Sequence, residues 1–273
     1  MNFPGRNKLK RYWQILGPGL VTGAADDDPS GIATYSQTGA SYGFQLIWLS
    51  IYTLPMAIVV QEMCARIGMV TGRGLGENIR RVYSKPVLYL CVALLLAANT
   101  FNIGADIGAM AKAVQLLLPS VGFPLLVSLF VVISVALQVF TTYKTYAQYL
   151  KYLTLVLLSY VATGFLVHLD WGQVLSQTLI PTLELSKDQL FIICAILGTT
   201  ISPYLFFWQS SQEVEEEIAH NKILGFGIGK PHLNKEDFRN LWVDTAVGMF
   251  FSQAIMFFII VTSASTIGAH GIT

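Results

Sequence analysis

The stretch ADDDPSGIATY, residues 25–35, decides the fold because it places three adjacent carboxylates inside a long apolar run. Pro29 and Gly31 follow the acids, and both residue types weaken the hydrogen-bond ladder of a helix. An ionised carboxylate at the centre of a bilayer costs about 3 kcal/mol or more on insertion scales. A membrane segment that keeps such charges is expected to use them and to hold a partner that neutralises at least one.

Composition and apolar runs identify the class of protein. Of the 273 residues, 53% are hydrophobic and 12% are charged, and a soluble domain carries about twice that charged fraction. A helix needs roughly 20 apolar residues to cross about 30 Å of hydrocarbon. The sequence therefore predicts an all-α integral membrane protein with a single transmembrane domain, whose apolar segments one to seven cover residues 13–40, 44–66, 87–118, 123–140, 146–168, 189–212 and 241–267.

The basic residues indicate the orientation. Of the 17 Lys and Arg residues, all but Lys112 and Lys187 lie before segment one, or in and beside the connections between segments two and three, four and five, and six and seven. Because cytoplasmic loops carry an excess of basic residues, we expect a multi-pass protein of the cell membrane with a cytoplasmic N-terminus. The formal net charge of +1 gives no indication of a nucleic-acid partner.

Segments one and six share an unusual feature, which is a polar, proline-containing interruption at the centre. The first reads DDDPSG at residues 26–31, and the second reads GTTISPY at residues 198–204. Broken helices are tolerated in a membrane where protein or a watery cavity surrounds them. Two such helices five segments apart are typical of inverted-repeat transporters that bind their substrate near the midplane. The alternative is a pair of ordinary proline kinks.

The acids need a positive partner, and the sequence offers no side chain for that role. No Lys or Arg lies at matching depth in the seven segments, and the nearest, Lys112, sits towards the end of segment three. A bound cation is therefore the economical partner for at least one carboxylate. Thr199, Thr200 and Ser202 in the other interruption add hydroxyl and carbonyl oxygens, and all-oxygen sites suit Mg²⁺, Ca²⁺ or Mn²⁺. Protonated or solvated acids remain the alternative, above all for residues 26 and 27.

Three stretches resemble one known family. DPSGIATYSQTGA (28–40) is similar to the first-helix motif of the NRAMP divalent metal transporters, Asp-Pro-Gly-Asn with a Gln-x-Gly-Ala tail. QEMCARIGMVTGRGL (61–75) resembles the end of their second helix, and SPYLFFWQS (202–210) lines up with their sixth-helix Met-Pro-His-Asn motif. The resemblance implies a LeuT-like fold of two inverted five-helix repeats with helices one and six broken. This chain would hold the first repeat plus helices six and seven of the second.

The resemblance also implies a set of metal-binding positions. Asp28 matches the metal-binding Asp, and Thr199 matches the position whose backbone carbonyl binds the metal. Gly31 stands where the family has a metal-binding Asn, so that side-chain ligand is missing. Ser202 stands where the family has a metal-binding Met, so the soft thioether is missing as well.

Further positions are candidates for an ion or proton path. Tyr204 and Gln209 match two His positions that the family links to proton movement. In segment three, Asn102 and Ala105 fall where the family often has carboxylates, and a shift of one residue would bring in Asp106 instead. The candidates for the path are Asp27, Asp106, Tyr204, Gln209 and Gln37. For the two glutamines a helix–helix hydrogen bond is an equal alternative, and Asp106 is equally able to pair with Asn102 or Lys112.

The departures from the family pattern all remove a metal-binding side chain or a group linked to proton movement. They resemble a divergent NRAMP-related branch that includes magnesium transporters, in which a roomier site takes a partly hydrated ion without strong proton coupling. We therefore expect a membrane transporter of a divalent cation, Mn²⁺ or Fe²⁺ or Mg²⁺, that works by alternating access. The ion is substrate rather than cofactor, the lipid bilayer is the other partner, and the protein is not an enzyme.

Two other functions stay open at this point. A sodium-coupled symporter of a small organic substrate would use the same fold, although three acids argue against an anionic ligand. An intramembrane aspartyl protease would pair Asp28 with Asp106, but the flanking residues do not match the expected motif.

Two expectations concern the second half of the sequence. The charged run EVEEE at residues 213–217 is predicted to lie in a solvated cytoplasmic loop over residues 213–240. The fold implied by the resemblance needs ten helices, so we expect further C-terminal helices, in a longer protein or in a separate chain. Without them we do not expect efficient transport.

Overall fold

A computed structural model of the chain describes residues 17–141, 149, 154–167, 169–184, 186–229 and 231–271. In the described residues the regular secondary structure is helical, apart from an isolated bridge between Gly225 and Ile228. The α-helices are α1 Pro18–Ala25, α2 Pro29–Tyr42, α3 Leu49–Tyr52, α4 Leu54–Thr71, α5 Leu75–Val82, α6 Lys85–Leu117, α7 Phe123–Phe140, α8 Leu158–Leu166, α9 Trp171–Leu179, α10 Lys187–Thr200, α11 Pro203–Ala219 and α12 Lys235–Thr266. Short 3₁₀ turns cover Thr154–Leu157 and Gly268–His270.

Several of these helices are long and apolar enough to cross a membrane. Five such spans occur in the described residues, at Leu49–Thr71, Lys85–Leu117, Phe123–Phe140, Lys187–Ala219 and Lys235–His270. A sixth candidate joins Leu155–Leu166 to Trp171–Leu179 with a bend of 120°. Segment one is split into α1 and α2, of 8 and 14 residues.

The predicted boundaries are close for segments three and four and wrong by several residues elsewhere. Segment two was predicted at 44–66 but runs from 49 to 71, because residues 43–48 form turns and the helix continues to a left-handed Gly72. Segment six continues beyond residue 212, because α11 extends to Ala219. Segment seven begins at Lys235, where Asn234 caps it with its side chain. The start of segment five lies outside the described residues.

The acidic run at 213–217 is not a solvated loop, so that prediction was wrong. It belongs to α11, and Glu213 and Glu217 are buried with 7% and 4% of their surface exposed. A second feature that the sequence did not predict is α9, which begins after Asp170. The Asp170 carboxylate accepts hydrogen bonds from the backbone N–H groups of Gly172 and Gln173, which caps the helix.

Helix α12 is the element around which the others pack. Its second half shares one apolar core with residues of α2, α3, α9, α10 and the connection before α3, and this core contains Tyr35, Leu46, Ile47, Leu49, Val174, Ile192, Ile196, Ile255, Met256, Ile259, Ile260 and Val261. Its first half lies against α1 with almost no side chain between the two backbones. A Cβ atom added at Gly23 would lie 2.1 Å from the carbonyl oxygen of Gly248. Close backbone contact through small residues is typical of helix pairs in membranes.

Asp244 of α12 fixes the N-terminus of α1. Its Oδ1 accepts hydrogen bonds from the backbone N–H groups of Gly17 at 2.8 Å and Leu20 at 3.2 Å, and its Oδ2 accepts one from Gly19 at 2.7 Å. The first amides of a helix have no partner within it and carry partial positive charge. A carboxylate from a different helix, more than 220 residues further along the chain, therefore serves as the cap of α1.

Both predicted interruptions are present and have the same backbone form. Asp28 separates α1 from α2 with φ −71° and ψ 170°, and Ser202 separates α10 from α11 with φ −86° and ψ 127°. Each residue is extended because it precedes a proline, which disfavours the helical region for its neighbour. Pro29 and Pro203 then occupy the first helical position, where a missing N–H does no harm.

Candidate functional site

Asp28 lies at the centre of a polar cluster that joins three helices. Its Oδ1 accepts hydrogen bonds from the backbone N–H of Gly31 and the hydroxyl of Ser30, both at 2.7 Å. Its Oδ2 accepts one from the amide of Asn102 on α6 at 2.8 Å and one from the hydroxyl of Tyr204 on α11 at 3.2 Å. The carboxylate thus caps α2 and at the same time contacts both α6 and α11.

Asp106 of α6 is the second carboxylate of this cluster. Its Oδ1 accepts a hydrogen bond from the backbone N–H of Ser30 at 3.2 Å, and its Oδ2 accepts one from Asn102 at 3.2 Å. The amide of Asn102 therefore lies between Asp28 and Asp106. Two carboxylates that share so few donors repel each other, and a cation between or beside them relieves that repulsion. We call Asp28, Asn102, Asp106 and Tyr204 the central site.

The interruption between α10 and α11 contributes uncharged oxygen atoms. The hydroxyl of Ser202 donates to the carbonyl oxygens of Gly198 at 2.8 Å and Thr199 at 2.5 Å. The hydroxyl of Thr199 donates to the Tyr35 hydroxyl at 3.2 Å, which also lies 3.3 Å from the hydroxyl of Thr200. Ser202 and Thr199 thus turn their oxygens towards the end of α10, next to Tyr204 of the central site.

A pocket of about 320 Å³ lies beside the central site. Its walls come from α6 and from the junction of α10 and α11, and they consist of Ala98, Phe101, Asn102, Ala105, Gly198, Thr199 and Tyr204. The volume far exceeds the roughly 30 Å³ that one water molecule occupies in the liquid. The pocket therefore has room for an ion together with part of its hydration shell.

The donor set consists of oxygens. Within the described ranges, no three His, Cys, Asp or Glu side chains are grouped closely enough to hold a metal ion as a closed cage. The central site instead offers two carboxylates with amide, hydroxyl and carbonyl oxygens around them. A hard divalent ion that keeps several waters needs only one or two carboxylates from the protein.

Gly31 and Ala105 take part in the site without a side-chain ligand. The N–H of Gly31 donates to Asp28, and a Cβ atom added there would lie 3.0 Å from the carbonyl oxygen of Asp26. A side chain at this position would need that carbonyl to move by a few tenths of an ångström. Ala105 lines the pocket. The neighbouring Asp106 is the residue whose carboxylate contacts Ser30 and Asn102, which also bond to Asp28.

The structure separates Asp28 from the two acids that precede it. Asp26 is fully buried, and its Oδ2 accepts a hydrogen bond from the hydroxyl of Ser252 on α12 at 2.6 Å. Asp27 is 4% exposed, and neither of its carboxylate oxygens has a hydrogen-bond partner among the described residues. The three carboxylates therefore face different surroundings.

The remaining candidates lie outside the central site. Gln209 is fully buried, and its Nε2 donates to the hydroxyl of Thr245 on α12 at 3.0 Å, which is the helix–helix hydrogen bond expected as the alternative. Gln37 is exposed on α2, eight residues beyond Pro29. Lys112 does not pair with Asp106, because its ammonium donates to Gln115 at 3.2 Å and lies over the ring of Phe123.

Sequence reasoning missed two contributors to the site. Ser30 links Asp28, Asn102 and Asp106 through its hydroxyl and its N–H. Tyr35 connects the first interruption to the second through Thr199 and Thr200. The signal for Ser30 was present, because a hydroxyl two residues after a capping Asp faces the same helix N-terminus.

Comparison with known proteins adds the family. The family model for natural resistance-associated macrophage protein-like proteins, Nramp, matches residues 19–273.

This chain belongs to the Nramp family.

Two curated relatives are each described as divalent metal cation transporter MntH. The one from Agrobacterium fabrum is 26% identical over 277 residues, which cover 99% of this chain and 57% of the relative. The one from Erwinia tasmaniensis is 26% identical over 278 residues, which cover 97% of this chain and 62% of the relative. This Nramp chain thus spans a little more than half the length of the curated relatives it matches.

A solved structure confirms the fold. The crystal structure of the Eremococcus coleocola manganese transporter, in complex with an aromatic bis-isothiourea substituted compound, superposes with a TM-score of 0.73 at 19% identity. The match covers 97% of this chain and 54% of that one. The LeuT-like fold predicted from the sequence is therefore confirmed for this Nramp chain.

Proposed function

We propose that this Nramp protein transports a divalent metal cation across the cell membrane by alternating access, and that the ion binds between the two interrupted helices. The observation that carries the proposal is the position of Asp28. Its carboxylate contacts α6 and α11 and lies with Asp106 beside a pocket of about 320 Å³. A charged group in such a place needs a positive partner, and the described basic residue closest in sequence to Asp106, Lys112, is engaged elsewhere.

The proposed ligands come from both interruptions. Asp28 supplies carboxylate oxygens, Thr199 its backbone carbonyl and Ser202 its hydroxyl, while Gly31 leaves its position without a side chain. The C-terminal ends of α1 and α10 carry partial negative charge next to these residues, and such ends of half-helices coordinate cations in transporters. The bound ion would replace the repulsion between Asp28 and Asp106 with attraction to both.

The oxygen ligands favour a hard metal ion. A set of oxygens without a thioether favours Mg²⁺ or Mn²⁺ over softer metals, and Mg²⁺ gives up its water reluctantly. The pocket beside Asp28 has space for that water. Relatives described as MntH and a manganese transporter of the same fold support Mn²⁺, and Fe²⁺ is the third ion to be compared. The ion is a substrate, so no resident cofactor is part of the proposal.

The path that leads to the site is proposed from the surroundings of Asp28. Asp106 and Tyr204 belong to the hydrogen-bonded cluster around Asp28, so they are the first candidates to pass ions or protons. Asp27 and Gln209 are buried nearby along α1–α2 and α11. The exposed position of Gln37 gives it no such support. We further propose that the N-terminus is cytoplasmic and that additional helices complete the transporter, since the chain spans only part of its relatives.

Metal binding to the purified chain in lipid nanodiscs tests the proposal. Isothermal titration with Mg²⁺, Mn²⁺ and Ca²⁺ is expected to show saturable binding, and Asp28→Ala is expected to remove the ion that binds at the central site. Normal binding by that variant would eliminate Asp28 as the central ligand, and no binding by the unmodified chain would overturn the function. Flux into liposomes is expected to be weak for the 273 residues alone. A sodium-dependent uptake of an organic substrate without metal binding would support the symporter instead.

A further inference from the structure

A row of buried, unsatisfied oxygens runs along one face of α11. Gln209, Glu213 and Glu217 are spaced four residues apart, so they lie above one another on the same side of the helix. Their exposed fractions are 0%, 7% and 4%. Among the described residues, Gln209 Oε1, Glu213 Oε1 and both carboxylate oxygens of Glu217 have no hydrogen-bond partner.

All the unsatisfied atoms in this row are acceptors. A row that mixed donors and acceptors could be closed by small side-chain rotations, but acceptors cannot satisfy one another. The amide of Gln209 is held in place, because its Nε2 donates to Thr245 and also interacts with the Glu213 carboxylate, which leaves Oε1 as the free atom. A buried charge without a partner costs several kcal/mol. The row is therefore satisfied either by protons on its carboxyl groups or by a bound cation.

The nearby basic side chains are already engaged. Lys222, which follows α11, lies close enough to attract the Glu217 carboxylate, but its ammonium donates to Asp237 at 2.8 Å. Arg66 of α4, the helix against which α11 packs, is paired with Glu62. The carboxylate of Asp244 faces the N-terminus of α1 and adds negative charge on the α12 side.

We propose that Glu213 and Glu217, together with Gln209 Oε1, form a second divalent-cation site on α11, distinct from the central site. We call it the inner acidic site. Side chains four residues apart on a helix have Cβ atoms about 5–6 Å apart, so the two carboxylates can meet on one ion. Two carboxylates with waters are a sufficient set for Mg²⁺ or Mn²⁺, which explains why no group of three acids is needed.

The position of the inner acidic site gives it a role in the proposed transport. Glu213 lies eleven residues after Ser202, which is about 16 Å along the helix axis. Gln209 lies between the two, on the same face as Glu213. With the orientation proposed above, an ion that leaves the central site towards the cytoplasm passes this face of α11. The site therefore holds the transported ion a second time on its way, and this role rests on the proposed function.

Binding stoichiometry separates the two sites. The chain in nanodiscs is titrated calorimetrically with Mn²⁺ and, separately, with Mg²⁺, and two ions per chain are expected. The double variant Glu213→Gln/Glu217→Gln is expected to bind one ion, at the central site. Asp28→Asn is expected to bind one ion, at the inner acidic site, and the triple variant none. The matched control Glu215→Gln removes the same charge from a more exposed position on another face of α11, and it is expected to bind two.

Every other result of these titrations would refute one of the two sites. Two ions bound by the double variant would overturn the inner acidic site, since its carboxyl groups would then hold protons rather than metal. Loss of one ion in the double variant but not in Asp28→Asn would leave the inner acidic site standing and remove the central one. If the double variant does not elute as a single species, Glu217→Gln alone is used. That variant is expected to weaken the second binding event at least about tenfold, and unchanged affinity would refute the proposal.

Discussion

The two interruptions have the same backbone conformation, but their side chains form hydrogen bonds in opposite directions along the chain. In each, an extended residue precedes a proline that starts the next helix. Asp28 directs its side chain forwards and caps α2, whereas Ser202 directs its hydroxyl backwards to the carbonyls of α10 and leaves α11 without a side-chain cap. The break in segment one is thus held open by a charge, and the break in segment six is held open mainly by the missing N–H of Pro203. Proline sets where a membrane helix stops, and the residue before it sets what the gap can bind.

The largest expected difference between the two breaks is in metal affinity. Asp28→Asn removes the charged ligand, and we expect Mg²⁺ and Mn²⁺ affinity at the central site to fall more than about 100-fold, beyond the usual effect of an outer-shell change. Ser202→Ala removes an uncharged oxygen, and we expect less than about tenfold. Isothermal titration of both variants measures the ratio. Equal losses would mean that the charge of Asp28 is not what distinguishes the two breaks.

The second difference is in packing next to each break. A Cβ atom at Gly23 would lie 2.1 Å from a carbonyl oxygen of α12, whereas one at Gly198 would meet nothing within 4 Å outside its own helix backbone. Gly23→Ala is therefore expected to destabilise the protein by about 1–3 kcal/mol through overpacking. Gly198→Ala serves as the control and is expected to be neutral or mildly stabilising, because alanine favours the helix. Thermal unfolding followed by tryptophan fluorescence compares them, and similar midpoints would contradict the close α1–α12 contact.

A third experiment asks what keeps each helix broken. Pro203→Ala restores an N–H that can donate to the carbonyl of Thr199, so α10 and α11 are expected to join. Hydrogen exchange of amides 204–206 should then slow by at least about tenfold, or 1.4 kcal/mol. Pro29→Ala is expected to change amides 30–32 less than about threefold, because the side chain of Asp28 still caps α2. Equal slowing at both breaks would show that proline alone maintains them.

The smallest expected effect concerns ion preference. Ser202→Cys nearly keeps the volume of the side chain but offers a soft sulfur atom in place of the hydroxyl. Mn²⁺ affinity relative to Mg²⁺ is expected to rise about fivefold, because softer ligands favour transition metals. The same change two residues away, Thr200→Cys, is the control, since that hydroxyl is bonded to Ile196 and Tyr35. An unchanged Mn²⁺/Mg²⁺ ratio in Ser202→Cys would separate this residue from the ion.

The sequence predicted what depends on local rules. The positions of both breaks followed from Pro29 and Pro203, and segments three and four followed from their apolar runs. The choice between Ala105 and Asp106 could not be made, because α6 is apolar on most sides and gives no periodicity that fixes its rotation. Only the contact with Ser30 and Asn102 selects Asp106.

Charge patterning failed where tertiary packing decides the environment. EVEEE has the composition of a solvated loop, and its residues are also good helix formers. Helix α11 packs against α4 and α1, and Glu213 and Glu217 are buried while Glu215 and Glu216 remain more exposed. A pattern of charge along one chain cannot reveal which face of a helix a distant element will cover.

The cap that Asp244 places on α1 has a mechanical consequence. Three hydrogen bonds at one end and a glycine-to-glycine contact near the other fasten this eight-residue rod to α12 along its whole length. A swing of α1 would carry α12 with it, so the two helices would move as one lever. The part of segment one left free to bend is then the short linker of acids between Ala25 and Pro29.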